Sequence, residues 1–225
     1  MTHDFDTKAR QVLAAAKLLY ERNMVNAYEG NVSVRLGDSL LITPSQVCKA
    51  ELTPQDLVEV DIATGETVIA NNGRAASSEA KMHICCYLAR PDIQGIAHAH
   101  PPAATAFALC GLPIETGAYP EMMILYGKVP ICRYGRPGTQ AVCDDIPGVL
   151  SDYDTFLLAN HGLTAVGASP IEAAYRLEAI ESIARVLLNV RALGPEATLS
   201  KREIIELEAL RVQKRREYLG ETDGK

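Results

Sequence analysis

The run Ile96-Ala97-His98-Ala99-His100-Pro101 constrains this chain more than any other stretch. It closes an apolar segment that opens at Ile93, and the pattern reads as a strand. Side chains alternate across a strand, so His98 and His100 face one side. Two imidazoles about 6–7 Å apart along one face can share a metal ion. On this spacing alone, a structural histidine pair is the alternative. Ala97 and Ala99 face the other way and are small, which permits close packing behind the strand. Pro101 and Pro102 end the strand at once and leave both rings at a sheet edge.

Of the five histidines, His161 has the other conspicuous setting, Leu157-Leu158-Ala159-Asn160-His161-Gly162. It is either a turn residue or a third nitrogen, and the neighbouring glycine permits close backbone approach. Three protein ligands with an open position are what a catalytic zinc site needs. Glu79 follows Ser77 and Ser78 at a helix start. As a first-turn carboxylate it complements the macrodipole. As a functional group it ligates a resting metal and acts as an acid/base when displaced. The two serines place hydroxyls and backbone N–H groups where an anion such as phosphate binds. Gly30-Asn31 and Thr43-Pro44-Ser45 add further donors.

The surrounding pattern predicts one α/β domain over residues 1–225. An amphipathic helix is expected over about 6–23, followed by hairpin strands around Val32–Val34, 40–43, 57–62 and 66–70. The sheet is therefore expected to be largely antiparallel. A helix is expected from Ser77 to about Ala89, one opening at Pro101-Pro102, an irregular stretch over 111–127 and a helix over 138–150. Two strands should meet at Asn160-His161-Gly162. Ser169-Pro170 caps a long helix, and Ser200-Lys201-Arg202-Glu203 is a capping box for the last one.

The net charge of −6 argues against a nucleic-acid surface and against a polybasic membrane contact. No apolar run is long enough to span a bilayer. The first residues lack the basic and apolar regions of a signal peptide, so a cytoplasmic location is expected. None of the six cysteines forms a C-x-x-C pair. Reduced thiols are expected, with Cys85 and Cys86 as small buried hydrophobes on a helix.

Five motifs in order, Gly30-Asn31-Val32-Ser33-Val34-Arg35, Leu41-Ile42-Thr43-Pro44-Ser45, Ser77-Ser78-Glu79, His98-Ala99-His100 and Asn160-His161-Gly162, resemble the class II aldolase/adducin family. Its L-fuculose-1-phosphate aldolase subgroup is the nearest match. The resemblance covers nearly the whole chain and implies a single three-layer α/β/α domain around a largely antiparallel sheet. It implies that His98, His100 and His161 bind zinc and that Glu79 is both catalytic and metal-touching. Cobalt, manganese and iron also suit that donor set. Gly30, Asn31, Ser45, Ser77 and Ser78 fall at phosphate positions. Tyr119 matches a tyrosine that handles the aldehyde oxygen from a neighbouring subunit, and Tyr218 loosely matches a C-terminal tyrosine. A homotetramer with active sites at subunit interfaces follows from the same likeness.

Two features depart from the subgroup. Ser45-Gln46 stands where the fuculose enzyme has Thr-Gly. Glu121 is an extra carboxylate, readable as an acid/base or as an interface charge. The expected reaction is cleavage of a ketose 1-phosphate, of L-fuculose 1-phosphate or deoxypentulose 1-phosphate type, to dihydroxyacetone phosphate and an aldehyde. The family implies that this runs through an enediolate held at the metal. No lysine sits in the motifs, which argues against a Schiff-base route. Decarboxylation, dehydration and 4-epimerisation of sugar phosphates are the competing activities, and a non-catalytic adducin-like interaction domain is the remote one.

Overall fold

The structure, a computed structural model, describes residues 3–220. Its sheet begins from β1 (Asn31–Leu36), β2 (Ser39–Ile42), β3 (Val58–Asp61) and β4 (Thr67–Ala70). Short turns join β1 to β2 and β3 to β4, so these strands pair antiparallel. A longer segment carrying a 3-10 turn, Pro54–Asp56, links the two hairpins. Asp56 accepts from both the backbone N–H and the hydroxyl of Thr53, which closes that turn.

The second half adds β5 (Gly95–Ala99), β6 (Ile131–Cys132), β7 (Thr155–Leu158) and β8 (Gly162–Gly167). The eight strands lie in the order β4-β3-β2-β1-β5-β8-β7-β6, and only β6 and β7 run parallel. The mixed sheet flanked by helices is the α/β architecture expected. Helices α1 (His3–Glu21), α3 (Pro102–Leu109) and α6 (Pro170–Leu193) cover one face. Their Ala9, Val12, Leu19, Phe107, Leu177 and Ile180 are buried against it. Helices α2 (Ala80–Ala89) and α5 (Ile146–Leu150) cover the other through Met82, Cys86, Tyr87, Ile146 and Leu150.

Three local expectations change. The stretch 111–127 contains a helix, α4 (Pro120–Leu125), with proline at its first position and Tyr119 as its N-cap. That proline was the signal available in the sequence. The expected helix over 138–150 divides into a 3-10 turn, Gln140–Cys143, and α5. Cys86 is buried as expected, but Cys85 forms a disulfide with Cys143 across 58 residues of sequence. The bond fastens α2 to the 3-10 turn packed on it. Cysteine spacing alone cannot reveal such a pairing.

The final helix α7 (Lys201–Leu219) is tied to the sheet by an ionic hub. Asp154, just before β7, meets Arg90 at 2.6 Å, Arg215 at 2.7 Å and Arg176 at 3.3 Å. Burial alone would raise the Asp154 carboxyl, but Arg176, Arg215 and Arg90 hold it below the usual carboxylate value. A depressed folded-state value contributes stability that is present above about pH 4 and lost as pH falls through it. Asp154→Asn should therefore cost about 3 kcal/mol at neutral pH, because three arginines lose their carboxylate. In urea melts, the gap between variant and parent should shrink below about pH 4. A gap independent of pH would contradict the hub's role.

Candidate metal centre

Strand register builds this site. Asn31 on β1 lies opposite His98 on β5, which lies opposite Thr164 on β8. His98 is fully buried, and its Nδ1 lies 2.9 Å from the Thr164 hydroxyl. His100 stands one residue past the end of β5. Its Nε2 is 3.1 Å from His98 Nε2, while its Nδ1 is 3.4 Å from a Glu29 carboxylate oxygen. The β7–β8 turn brings in His161, whose Nε2 is 3.2 Å from Glu79 Oε1. Glu79 Oε2 lies 3.5 Å from His98 Nε2.

One ligand atom from each of Glu79, His98, His100 and His161 lies within 4.8 Å of all the others. This is the set the sequence singled out. Burial, with smaller effects from the other histidines, pushes His98 well below its ordinary value. Burial also lowers His161, against the opposing charge of Glu79. Both shifts favour the neutral ring, the form that donates a lone pair to a metal. The rear nitrogens of His98 and His100 already face Thr164 and Glu29, which orients their Nε2 atoms inward. The residues present therefore fit a divalent cation.

Backbone approach explains two glycines. A Cβ on Gly162 would stand 2.5 Å from His100 Cδ2 and 2.6 Å from the Ala99 carbonyl oxygen. Gly30 has a positive φ of 70°, and a Cβ there would meet Val25 at 2.4 Å and the His98 carbonyl at 2.9 Å. The glycine at 162 is thus a packing requirement of the histidine cluster itself.

Glu79 is the N-cap of α2, one position before the helix begins rather than inside its first turn. The serines gather around it. Glu79 N–H donates to Ser77 Oγ at 3.2 Å, and Ser78 N–H donates to Ser45 Oγ at 3.2 Å. The Ser45 hydroxyl in turn donates to the Ala76 carbonyl at 3.0 Å. Gln46, the departure from the fuculose pattern, takes a positive φ of 54° that glycine would adopt more readily. Asn31 is buried and has both ends of its side chain engaged. Its Nδ2 donates to Glu79 Oε2 at 2.7 Å, and its Oδ1 lies 2.6 Å from His83 Nε2.

The expected tyrosines stand elsewhere in this chain. Tyr119 lines a groove with Thr116, Val186, Leu187, Val190 and Glu196, none of which belongs to the cluster. Glu121 is exposed in the first turn of α4. The Tyr218 hydroxyl donates to Glu172 at 3.2 Å, and its ring lies against Arg176. Glu172 packs beside Gly167, the far end of β8 from His161, roughly 17 Å along the strand. One subunit therefore does not bring Tyr218 to its own histidines.

Sequence reasoning missed His83 and Glu29. His83 is fully buried, and burial drives its value down to about 3. It follows Glu79 by four residues and precedes Tyr87 by four. This spacing puts all three on one face of a helix and was legible in principle.

Comparison with known proteins agrees with this geometry. Residues 10–188 match the model of the class II aldolase and adducin N-terminal domain, and the chain belongs to that family. It is 32% identical to the 3-oxo-tetronate 4-phosphate decarboxylase of Escherichia coli K12 over 197 residues, 85% of this chain and 91% of that protein. It is 29% identical to the L-fuculose phosphate aldolase of Escherichia coli O6:H1, covering 87% of this chain and 90% of that one. A solved L-fuculose 1-phosphate aldolase superposes with a TM-score of 0.81 at 26% identity, over 93% of this chain and 96% of that one. No helix among the described residues is long and apolar enough to cross a membrane.

Gly162→Ala should displace His100 and weaken divalent-cation binding about 10–100-fold, the cost of disturbing a ligand's support. Zinc titration calorimetry checks this. An unchanged affinity would show that the close packing does not set the ligand geometry.

Proposed function

We propose that this chain is a lyase that breaks a carbon–carbon bond beside the carbonyl of a phosphorylated sugar. The first reading is retro-aldol cleavage of a ketose 1-phosphate to dihydroxyacetone phosphate and an aldehyde. The observation that supports it is the convergence of three imidazoles and one carboxylate beside a turn of serines. Glu79, His98, His100 and His161 would hold a divalent cation, zinc before cobalt, manganese or iron for three nitrogens and an oxygen, which would supply Lewis-acid polarisation of the substrate carbonyl.

The protein's own residues do the remaining work. Gly30, Ser45, Ser77 and Ser78 hold the phosphate at the start of α2, where the helix favours an anion. Asn31 joins them by fixing Glu79, to which its side-chain amide is committed. Binding energy at the phosphate orients the reacting carbons. As the C3–C4 bond breaks, the C4 hydroxyl loses its proton and becomes the aldehyde, and the electron pair remains on C3. Glu79, having taken up a proton from solvent, delivers it to that carbon. The hydroxyl proton leaves through Tyr119 of a neighbouring subunit, whose phenol takes it up while releasing its own to solvent, in a homotetramer with sites at its interfaces. Glu121 and Tyr218 are the further groups that could approach from across that boundary.

Decarboxylation of a phosphorylated 3-oxo acid is the second reading. The 32% identical relative carries that activity in its name. The chemistry also needs no base for a hydroxyl, and the cluster formed by one chain contains the single carboxylate Glu79. Dehydration and 4-epimerisation share the same beginning. An adducin-like domain without chemistry has no use for a complete donor set.

With zinc present, a panel of ketose 1-phosphates should release dihydroxyacetone phosphate, followed by a coupled dehydrogenase. Carbon dioxide from 3-oxo-tetronate 4-phosphate would favour the second reading, and neither product would sink both. Glu79→Gln should bind metal yet lose turnover about 10²–10⁴-fold. Turnover retained in that variant would overturn the acid/base role.

A further inference from the structure

Behind Glu79 runs a line of buried polar side chains that no part of the cleavage chemistry requires. Glu79 Oε2 accepts from Asn31 Nδ2 at 2.7 Å, Asn31 Oδ1 meets His83 Nε2 at 2.6 Å, and His83 Nδ1 meets Ser33 Oγ at 2.6 Å. Ser33 Oγ then meets the Tyr87 hydroxyl at 2.9 Å. Asn31 is 3% exposed, Ser33 and His83 are fully buried, and Tyr87 is 1% exposed. The four residues beyond Glu79 come from two elements: Asn31 and Ser33, two apart on β1, and His83 and Tyr87, four apart on α2.

The direction of every bond follows from donor and acceptor chemistry. A carboxylate only accepts, so the Asn31 amide must turn its NH₂ to Glu79 and its carbonyl to His83. A carbonyl also only accepts, so His83 carries its proton on Nε2. The ring is neutral, so Nδ1 is a lone pair and takes the Ser33 hydroxyl proton. Ser33 Oγ then accepts from Tyr87. No other assignment satisfies all four groups. Reversal at any link would bury an unpaired donor or acceptor at a cost of about 1–3 kcal/mol.

We propose that Tyr87, Ser33, His83 and Asn31 form a one-directional hydrogen-bond relay of positioning residues that holds Oε2 of Glu79. The relay keeps that oxygen anchored 3.5 Å from His98 Nε2, while the other, Oε1, lies 3.2 Å from His161 Nε2. Glu79 can then exchange between touching the metal and moving a proton without leaving the site. Arg35 closes the outer end, donating to the Tyr87 carbonyl at 2.6 Å with its guanidinium 4.8 Å from the Tyr87 ring centroid. The inference rests on the reading of Glu79 as a metal-touching acid/base.

Full-length protein loaded with Co²⁺ tests the relay without substrate, because the visible cobalt spectrum reports the ligand set. His83→Leu and Ser33→Ala should keep one cobalt per chain but shift the spectrum toward that of Glu79→Gln. His83→Gln retains a donor near the Nε2 position and should restore the parent spectrum. With a turned-over substrate, His83→Leu should lower kcat about 10–100-fold and leave KM within about threefold. His83→Gln should recover most of the loss. Parent-like spectra in both His83→Leu and Ser33→Ala would overturn the relay, as would equal damage in His83→Leu and His83→Gln. Ser33→Ala decides the matter if His83→Leu does not fold. If no sugar phosphate is turned over, the proposed activity fails while the spectra still judge the relay.

Discussion

The whole site depends on one row of residues across three strands, Asn31 on β1, His98 on β5 and Thr164 on β8. Strand side chains have a period of two, so a one-residue slip of β5 would send His98 to the opposite face. The register is held by what lies behind it. Ala97 and Ala99 pack into the core under α3 and α6, and Ile96 packs into the core on the other side. Burial that specifies the fold therefore also specifies where the first metal-seeking nitrogen points.

Around that row, each remaining group arrives by a different device. His100 uses the end of β5, before Pro101-Pro102 turn the chain into α3. His161 uses a tight turn whose following residue must lack a side chain. Glu79 uses the start of α2, where the last residue before the helix is held by Asn31. These three arrivals come from the end of β5, the β7–β8 turn and the start of α2, so the cluster exists only in the assembled fold. The opposite end of β7 is fastened by Asp154 and its arginines.

Much of this was legible in residues taken locally. The alternation around His98, the turn at His161-Gly162 and the capping signals of α6 and α7 depend on neighbours within a few positions. The hairpins of the first half announce themselves through Gly37-Asp38 and Ala63-Thr64-Gly65. What was not legible depends on long-range packing. The Cys85–Cys143 bond joins residues 58 apart. The commitment of Asn31 to Glu79 and His83, and the approach of Glu29 to His100, arise only when strands and helices dock. A motif can place Asn31 near a phosphate. Only the fold shows that its amide is already occupied by the Glu79 carboxylate.

Glu79, His98, His100 and His161 are expected to act as one metal site. Equilibrium dialysis of the full-length protein against zinc, with bound metal measured by elemental analysis, tests it most directly. One zinc per chain in the parent and essentially none in His98→Ala is the predicted result. An apo parent at saturating zinc, or full occupancy in His98→Ala, would contradict it.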